Sequence, residues 1–186
     1  MKNLNVNKSK FAKLQADGIF NSLQILNKKI LPKEKYIGEM ITLNVMSGLC
    51  IELYLKAFLA TTKKAGGRRD HNLERLFGDL PNVLKNVIRQ DYVTNYDDNT
   101  DSFKLSILIS ENLSETKLLQ DKLTDFDSAI KALSTTFVDS RYFFENLNER
   151  NWIIVEYYFG YVKAICQTLK KVYEQHIRGD YSARIK

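Results

Sequence analysis

Two charged residues, Glu52 and Lys56, interrupt the longest apolar-rich stretch of the chain, residues 40–60. They are four residues apart, so in a helix they lie one turn apart on the same face and their charges can meet. Such a pair serves either as a structural ion pair or as an acid–base dyad. A half-buried pair needs further polar partners to offset lost hydration, and we expect Arg141 to supply one. Gly48 lies one turn earlier on the same stripe, where a missing side chain admits a neighbour.

A histidine follows the basic run KKAGGRRD, which contains Arg68 and Arg69. The side chain of this residue, His71, can act as a general acid or base, and arginines are suited to binding phosphate. At the start of a helix, His71 is equally suited to capping or anchoring. The catalytic and the structural interpretations both remain open at this stage.

A third polar feature lies in the segment SRYFFE, where Arg141 and Glu145 are again four residues apart. Arg150 precedes Trp152 in a similar apolar context, at the head of the last predicted helix. The chemistry of the side chains sorts the candidates into three groups. These are catalytic candidates (His71, Arg141, Glu145), RNA- or phosphate-binding candidates (Arg68, Arg69, Arg141, Arg150) and a structural polar cluster (Glu52, Lys56, Tyr142).

Apolar residues at helical spacing predict the elements that must position these side chains. The second predicted helix is apolar around almost its whole circumference, which places it at the centre of a bundle. Pro32, Gly66, Gly67 and Pro81 mark breaks between helices. The predicted helices cover about 8–31, 34–64, a short stretch from near 71, 82–90, a stretch from about 114 onwards, and 149–177.

The region around residues 91–116 has a different pattern. Turn residues separate two short runs, and Phe103, Leu105, Ile107 and Ile109 alternate as in a strand. A small β-hairpin or an acidic loop around residues 91–113 therefore remains open. We expect helical structure to resume at Ser114, which is suited to capping it.

The composition favours one all-α domain. Hydrophobic residues make up 44% of the 186 residues, and there are only two prolines and eight glycines. Long helices joined by short connections form bundles. We therefore predict an antiparallel bundle of four to six helices, with residues 1–186 forming a single domain.

Cys50 and Cys166 both lie in apolar runs, and neither belongs to a CxxC pattern or a His/Cys cluster with metal-ligand spacing. We expect two free, buried cysteines, no metal and no cofactor. The first 18 residues contain no apolar stretch of signal-sequence length. A membrane span over residues 40–60 would bury a charged pair. These features favour a cytoplasmic protein without membrane association.

Positive charge is concentrated in two distant segments of the sequence. Residues 1–35 carry eight lysines against Asp17 and Glu34, a net charge of +6. Residues 163–186 carry a net charge of +4, whereas residues 91–128 carry −6. This distribution suits a polyanionic partner such as RNA, although lysines also simply solvate exposed helix faces.

The stretch IELYLKAFLATTKKAGGRRDHNLERLF resembles the hallmark of HEPN domains. In that pattern a helix with an acidic residue (Glu52) and a Lys-Ala-aliphatic run (Lys56) leads through a Gly-rich loop to a His-x-Leu helix (His71, Leu73). The later SRYFFE is similar to the Arg-Tyr element that many of these domains carry (Arg141). Together the two elements cover about 100 residues.

The resemblance implies a bundle of four or more helices, frequently dimeric, in prokaryotic defence, toxin–antitoxin systems or RNA processing. Active family members are metal-independent endoribonucleases with an Arg-x4–6-His motif. This chain departs from that motif, because the corresponding windows after Arg141 and Arg150 contain no histidine. His71 and His176 also lack an arginine at the required distance upstream.

The leading hypothesis is a HEPN-like, non-catalytic module that associates with RNA or a protein partner, such as a cognate antitoxin, and forms a homodimer. The alternative is a divergent metal-independent endoribonuclease that uses Arg141 with His71 or Glu145.

Overall fold

Helical periodicity in the first two apolar stretches produces two long helices, α1 (Lys2–Lys29) and α2 (Ile37–Thr61). A computed structural model describes residues 2–29, 37–62, 70–96, 104–110, 113–119, 123–141, 154–155 and 158–180. The remaining elements are α3 (Leu73–Gly78), α4 (Asn82–Asn95), β1 (Lys104–Ser110), β2 (Leu113–Leu119), α5 (Phe126–Arg141), β3 (Ile154–Val155) and α6 (Phe159–Arg178). Six helices in these ranges confirm the predicted bundle, and a three-stranded sheet accompanies them.

The α2 helix lies at the centre of the bundle, as its all-round apolar surface predicts. It packs against α1, α3, α5 and α6. Five of its large or medium apolar side chains are completely buried: Cys50, Ile51, Tyr54, Leu55 and Phe58. The expectation that this helix is enclosed by other helices is therefore confirmed.

The α1 helix runs antiparallel to both α2 and α6. Ser9 Oγ donates to the Ala57 carbonyl oxygen at 2.7 Å, and the Cys50 thiol donates to the Ala16 carbonyl oxygen at 3.3 Å. As the residue number rises along α1, it therefore falls along α2. Ser9 also makes a 2.6 Å hydrogen bond with the Tyr173 hydroxyl of α6. This buried serine ties three helices together.

Aromatic contacts and an ion pair join α3, α4 and α5 on another side of the core. The rings of Phe77 and Phe126 have centroids 4.6 Å apart, and Tyr92 meets Phe126 edge-on at 5.6 Å. The Arg89 guanidinium binds both carboxylate oxygens of Asp127, at 2.7 and 2.9 Å. The short α3 helix is thereby held between α2 and α5.

α5 packs tightly on α2 at Gly48. A Cβ atom added to this glycine would overlap the ring of Phe137. The prediction that the missing side chain of Gly48 lets a neighbouring residue pack there is therefore confirmed. The neighbouring residue is Phe137 of α5.

A β-hairpin occupies part of the region where the sequence predicts a hairpin or an acidic loop. The α4 helix continues to Asn95, five residues beyond its predicted end. β1 then pairs antiparallel with β2, with Lys104 opposite Leu119 and Ser110 opposite Leu113. Only two residues separate the strands, so the chain can reverse only into an adjacent antiparallel strand. Residues 97–103, 111 and 112 lie outside the described residues.

The predicted resumption of helix at Ser114 is wrong. Ser114 lies in β2 opposite Ile109, and the next helix begins at Phe126. β1 presents a full row of backbone donors and acceptors, and pairing with them outweighs the weak local helical signals of SETK. Asp125 caps α5 instead, because its carboxylate accepts a hydrogen bond from the Ser128 backbone N–H at 2.8 Å.

The predicted start of the last helix near Glu149 is also wrong. Ile154 and Val155 form β3, which pairs antiparallel with β1, and α6 begins at Phe159. The sequence WIIVEYY is rich in β-branched and aromatic residues, which suit a strand. The end of α6 agrees with the prediction, because Gly179 caps it in the left-handed conformation at a φ of 91°.

Candidate functional site

The main polar cluster of the core centres on Glu52. This residue is only 3% exposed, yet two cationic or hydrogen-bonding side chains reach its carboxylate. Lys56 Nζ lies 2.6 Å from Glu52 Oε1, and His71 Nδ1 lies 3.0 and 3.1 Å from the two carboxylate oxygens. The structure therefore brings together the acid, the lysine and the histidine that the sequence singles out.

Local capping explains how His71 reaches the carboxylate. His71 precedes α3, whose first turn is capped by the Asn72 side chain accepting from the Arg75 backbone N–H at 2.9 Å. The Asp70 carboxylate in turn accepts from the Asn72 backbone N–H at 3.0 Å. These bonds fix the chain direction before α3, and buried Leu73 anchors the helix on the core.

The arrangement orients the imidazole of His71. A carboxylate only accepts hydrogen bonds, so Nδ1 of His71 carries the hydrogen that points to Glu52. This leaves Nε2 as the second ring nitrogen on a side chain that is 52% exposed. A buried acid that orients a solvent-accessible imidazole is the geometry of a general base. The same geometry satisfies a buried charge in a purely structural ion pair.

The remaining predicted site residues are placed differently. Arg141 is the last residue of α5, it is exposed, and its guanidinium lies 5.7 Å from the centroid of the Phe137 ring. Between described residues, no ion pair joins Arg141 to Glu52; the positions that the expected arginine would fill are taken by Lys56 and His71. Five further predicted site residues lie outside the described residues: Arg68, Arg69, Tyr142, Glu145 and Arg150.

A second polar line, which the sequence does not single out, runs along the junction of α1 and α6. Lys13 Nζ contacts Asp17 at 2.6 Å and Glu174 at 3.0 Å, and Lys170 Nζ lies 3.8 Å from Asp17. Burial by itself lowers the pKa of Lys13, but the two carboxylates outweigh it and raise the pKa above its usual value. The i, i+4 spacing of Lys13 and Asp17 could have indicated their ion pair from the sequence.

The two basic segments of the sequence meet at this junction. The described helix α1 carries six lysines and Asp17, and α6 carries four basic residues and Glu174, giving net charges of +5 and +3. Several of the lysines recur at spacings that keep them on the side of each helix facing the junction. We call them the basic seam: Lys10, Lys13 and Lys28 of α1 with Lys163 and Lys170 of α6.

The two cysteines are free and buried, as predicted, and their sulfur atoms lie 3.6 Å apart between α2 and α6. Burial raises the pKa of the Cys166 thiol, and the hydrogen bond with Cys50 adds to this effect. A protonated, enclosed thiol is a poor nucleophile and a poor metal ligand. In the described part of the chain, no group of three or more His, Cys, Asp or Glu side chains could hold a metal ion.

The segment Gly38–Thr61 is long and apolar enough to cross a membrane by length and composition alone. Core helices pass the same test, and 61% of its most apolar window is buried inside this fold. Its enclosure by four other helices is what a core helix requires.

No protein-family model, curated protein sequence or solved structure matches this chain.

Proposed function

We propose that this chain is a HEPN-like helical module that associates with RNA without cleaving it, in a prokaryotic defence or toxin–antitoxin setting. The observation that carries RNA association is the side-by-side packing of α1 and α6, which joins two basic segments more than 120 residues apart into the basic seam. Lysines arranged along one surface neutralise successive phosphates and release their counterions.

The basic seam has lysines available for phosphate at its two ends. Lys10 and Lys28 are exposed, and neither makes an ion pair with another described residue. Lys13 and Lys170 share Asp17 and Glu174 in the middle of the seam, so their charge is partly offset. Phosphate binding is therefore expected mainly at the ends, where no described carboxylate pairs with the lysines.

Charge reversal at the seam tests RNA association. We expect Lys10→Glu and Lys28→Glu each to weaken binding to a single-stranded RNA. Each should also reduce the slope of log Kd against log salt by about 1 for every phosphate that the variant no longer neutralises. Fluorescence anisotropy at several salt concentrations provides the measurement. Lys131→Glu is the matched control, because Lys131 is an exposed lysine on α5, away from the seam.

Two results would reject RNA association through the seam. One is the absence of RNA binding by the wild type at low salt. The other is an equal loss of affinity in the Lys131→Glu and Lys10→Glu variants, which would mean that only net charge matters.

A divergent metal-independent ribonuclease is the second candidate, and the Glu52–His71 contact favours it. In this mechanism the exposed imidazole of His71 removes the proton of the ribose 2′-hydroxyl, and Glu52 keeps the ring oriented. The 2′-oxygen then bonds to the adjacent phosphorus as the P–O5′ bond breaks, and the leaving 5′-oxygen takes a proton from water. The products are a 2′,3′-cyclic phosphate and a 5′-hydroxyl. Arg141 would steady the phosphate. The contact between the buried acid and the imidazole is equally consistent with a structural ion pair, so activity must decide.

Cleavage assays in the presence of a metal chelator separate the two candidates. A ribonuclease would lose cleavage in His71→Ala and in Arg141→Ala, with the circular dichroism of both variants unchanged. The absence of cleavage by the wild type on RNAs of varied sequence and structure would reject the enzyme and leave the binding module.

A further inference from the structure

The two cysteines of the chain meet in the core, although 116 positions separate them in the sequence. Cys50 lies on the central helix α2 and Cys166 on the last helix α6. Their sulfur atoms are 3.6 Å apart, and both side chains are completely buried. The fold therefore brings together the two sulfur atoms that a disulfide bond requires.

The hydrogen bonds of the two thiols show where their hydrogens point. The Cys50 thiol has one hydrogen, and it is donated to the Ala16 carbonyl oxygen of α1 at 3.3 Å. The contact between the two sulfurs therefore uses the hydrogen of Cys166. Both hydrogens leave when the sulfurs bond to each other. Ala16 still has a donor, because a carbonyl within a helix accepts from the backbone N–H four residues later.

Only a small movement separates the two thiols from a disulfide. The sulfurs of a disulfide are about 2.05 Å apart, so each sulfur has to move by less than about 1 Å. Two further contacts hold α2 and α6 in the same register. Phe58 meets Tyr173 edge-on at 5.4 Å, and Thr61 Oγ1 lies 2.8 Å from His176 Nε2. The helices can therefore keep their packing while the bond forms.

We propose that Cys50 and Cys166 are a redox-sensitive pair, which hydrogen peroxide oxidises to a disulfide that links α6 to α2. The sulfur of one thiol takes up one peroxide oxygen as the O–O bond breaks, which gives a sulfenic acid and one water. The other sulfur then attacks the sulfenic sulfur and the S–O bond breaks. The leaving hydroxyl takes the second thiol proton as another water, so two electrons pass from the thiols to the peroxide.

The neighbouring thiol decides the product of the oxidation. A sulfenic acid without a nearby thiol is oxidised further to sulfinic and sulfonic acids, which thiol reductants do not reverse. Here the second sulfur is already in contact with the first. A bulky thiol such as glutathione cannot compete for the sulfenic acid, because both cysteines are enclosed by the core. The internal disulfide is therefore the favoured product, and it is reversible.

Burial makes the pair slow to respond. The thiolate is the reactive form, and burial raises the pKa of the Cys166 thiol. Reaction requires local openings of the packing between α1, α2 and α6 that admit peroxide and water. We therefore expect the disulfide to form over minutes to hours in the folded protein. Urea at concentrations below the unfolding transition should accelerate it.

The disulfide would act on the helix that carries half of the basic seam. Lys163 and Lys170 lie three residues before and four residues after Cys166, one turn away on either side. The bond joins residues 116 positions apart, and a loop of this length restricts the unfolded chain strongly. The oxidised protein therefore keeps α6 in place under conditions that unfold the reduced protein. This inference does not depend on RNA association.

Mass spectrometry of the intact protein and thermal unfolding test the proposal on the folded chain. After treatment with hydrogen peroxide, the wild type is expected to lose two hydrogens and to unfold at a temperature higher by on the order of 10 °C. Dithiothreitol should restore both the mass and the unfolding temperature. Non-reducing gel electrophoresis distinguishes the internal bond, which leaves a monomer, from a bond between two molecules.

Cys50→Ala is the matched control. It retains Cys166 and the three methionines, so any other effect of peroxide on these residues appears in it as well. Its mass is expected to rise by added oxygen, and its unfolding temperature should not increase. Cys166→Ala provides the same comparison from the other side of the pair. Reversal by dithiothreitol in the wild type tests the proposal even where neither variant folds.

Four results would overturn the proposal. The first is a wild type whose mass does not change or only gains oxygen. The second is a disulfide that forms between molecules. The third is a disulfide that forms only at urea concentrations that unfold the chain, because the two sulfurs would then not meet in the folded protein. The fourth is an internal disulfide that lowers the unfolding temperature, which would mean that the bond strains the helices. Failure of RNA binding through the basic seam leaves this proposal untouched.

Discussion

Gly48 and Phe137 compete for the same space on facing helices. A Cβ on Gly48 would stand 2.7 Å from the Cβ of Phe137 and would overlap its ring. Phe137 is 3% exposed and belongs to the core, so its ring has little room to move. The ring of Phe137 can therefore pack here only because Gly48 of α2 has no Cβ atom.

Replacement of Gly48 by alanine is expected to lower the free energy of unfolding. Overpacking costs about 1–3 kcal/mol, which exceeds the gain of up to about 1 kcal/mol in helix propensity. Urea denaturation measures the change. Gly18→Ala is the control, because nothing lies within 4 Å of a Cβ at this position, and it should raise the free energy of unfolding. Equal or higher stability of Gly48→Ala would contradict the steric argument.

His176 connects protonation to stability. Thr61 Oγ1 donates to the Phe58 carbonyl oxygen at 2.7 Å, so it accepts from His176 Nε2 at 2.8 Å. Nδ1 is then the bare nitrogen, and it is buried without a hydrogen-bond partner among the described residues. Burial lowers the pKa of His176 below its usual value of 6.5.

The sign of the pH effect follows from that shift. Well above pH 6.5 the histidine is neutral in both states and has no effect on stability. As the pH falls through this value, the unfolded chain binds the proton first and stability is lost. The free energy of unfolding should therefore fall more steeply from about pH 7.5 to about pH 5.5 in the wild type than in His176→Gln, which keeps a donor for Thr61. Identical slopes would mean that this imidazole does not titrate with unfolding.

The candidate site could be predicted from the sequence only in part. The i, i+4 spacing of Glu52 and Lys56 gives their pairing directly, because both lie on one helix. The approach of His71 depends on the turn before α3, and the sequence offers Arg141 as an equally suitable partner. The three-dimensional fold decides whether His71 or Arg141 reaches Glu52. The spacing of residues along the sequence does not reveal that choice.

At the level of elements, long apolar helices were predictable and the strands only partly so. α2 has enough apolar residues to indicate both helix and central position. β2 and β3 contain mixed signals, and both owe their extended form to pairing with β1. Such pairing joins residues up to about fifty positions apart, so local propensity misplaces the starts of α5 and α6.

The docking of α3 depends on its N-terminal cap. The helix has only six residues, and Asn72 satisfies a backbone N–H that otherwise lacks a partner. Asn72→Ala should therefore lower the free energy of unfolding by about 0.5–2 kcal/mol and speed amide exchange in α3. Urea denaturation and hydrogen exchange measure these changes. Ser22→Ala removes an exposed hydroxyl within α1 and should change little; a comparable loss there would argue against a special role for the cap.

In the whole molecule, the distribution of charge depends on how the helices pack as well as on the sequence. The lysine-rich first helix lies beside the basic last helix, and Lys171 of α6 pairs with Asp91 of α4 on another side. The sequence predicts the excess of positive charge. The two basic segments come together only because α6 packs antiparallel to α1.

The position of α6 also determines when a nascent chain can fold. Tyr173 meets both Ser9 and Phe58, so the cores of α1 and α2 remain uncovered until the ribosome has released α6. Contacts across more than 160 residues form late because the loop must close first. We expect the fragment 1–157 to show no cooperative thermal transition and to be digested rapidly by proteases, whereas the full chain resists. During synthesis the cores of α1 and α2 are therefore accessible to chaperones and to proteases until α6 has been made and has packed against them.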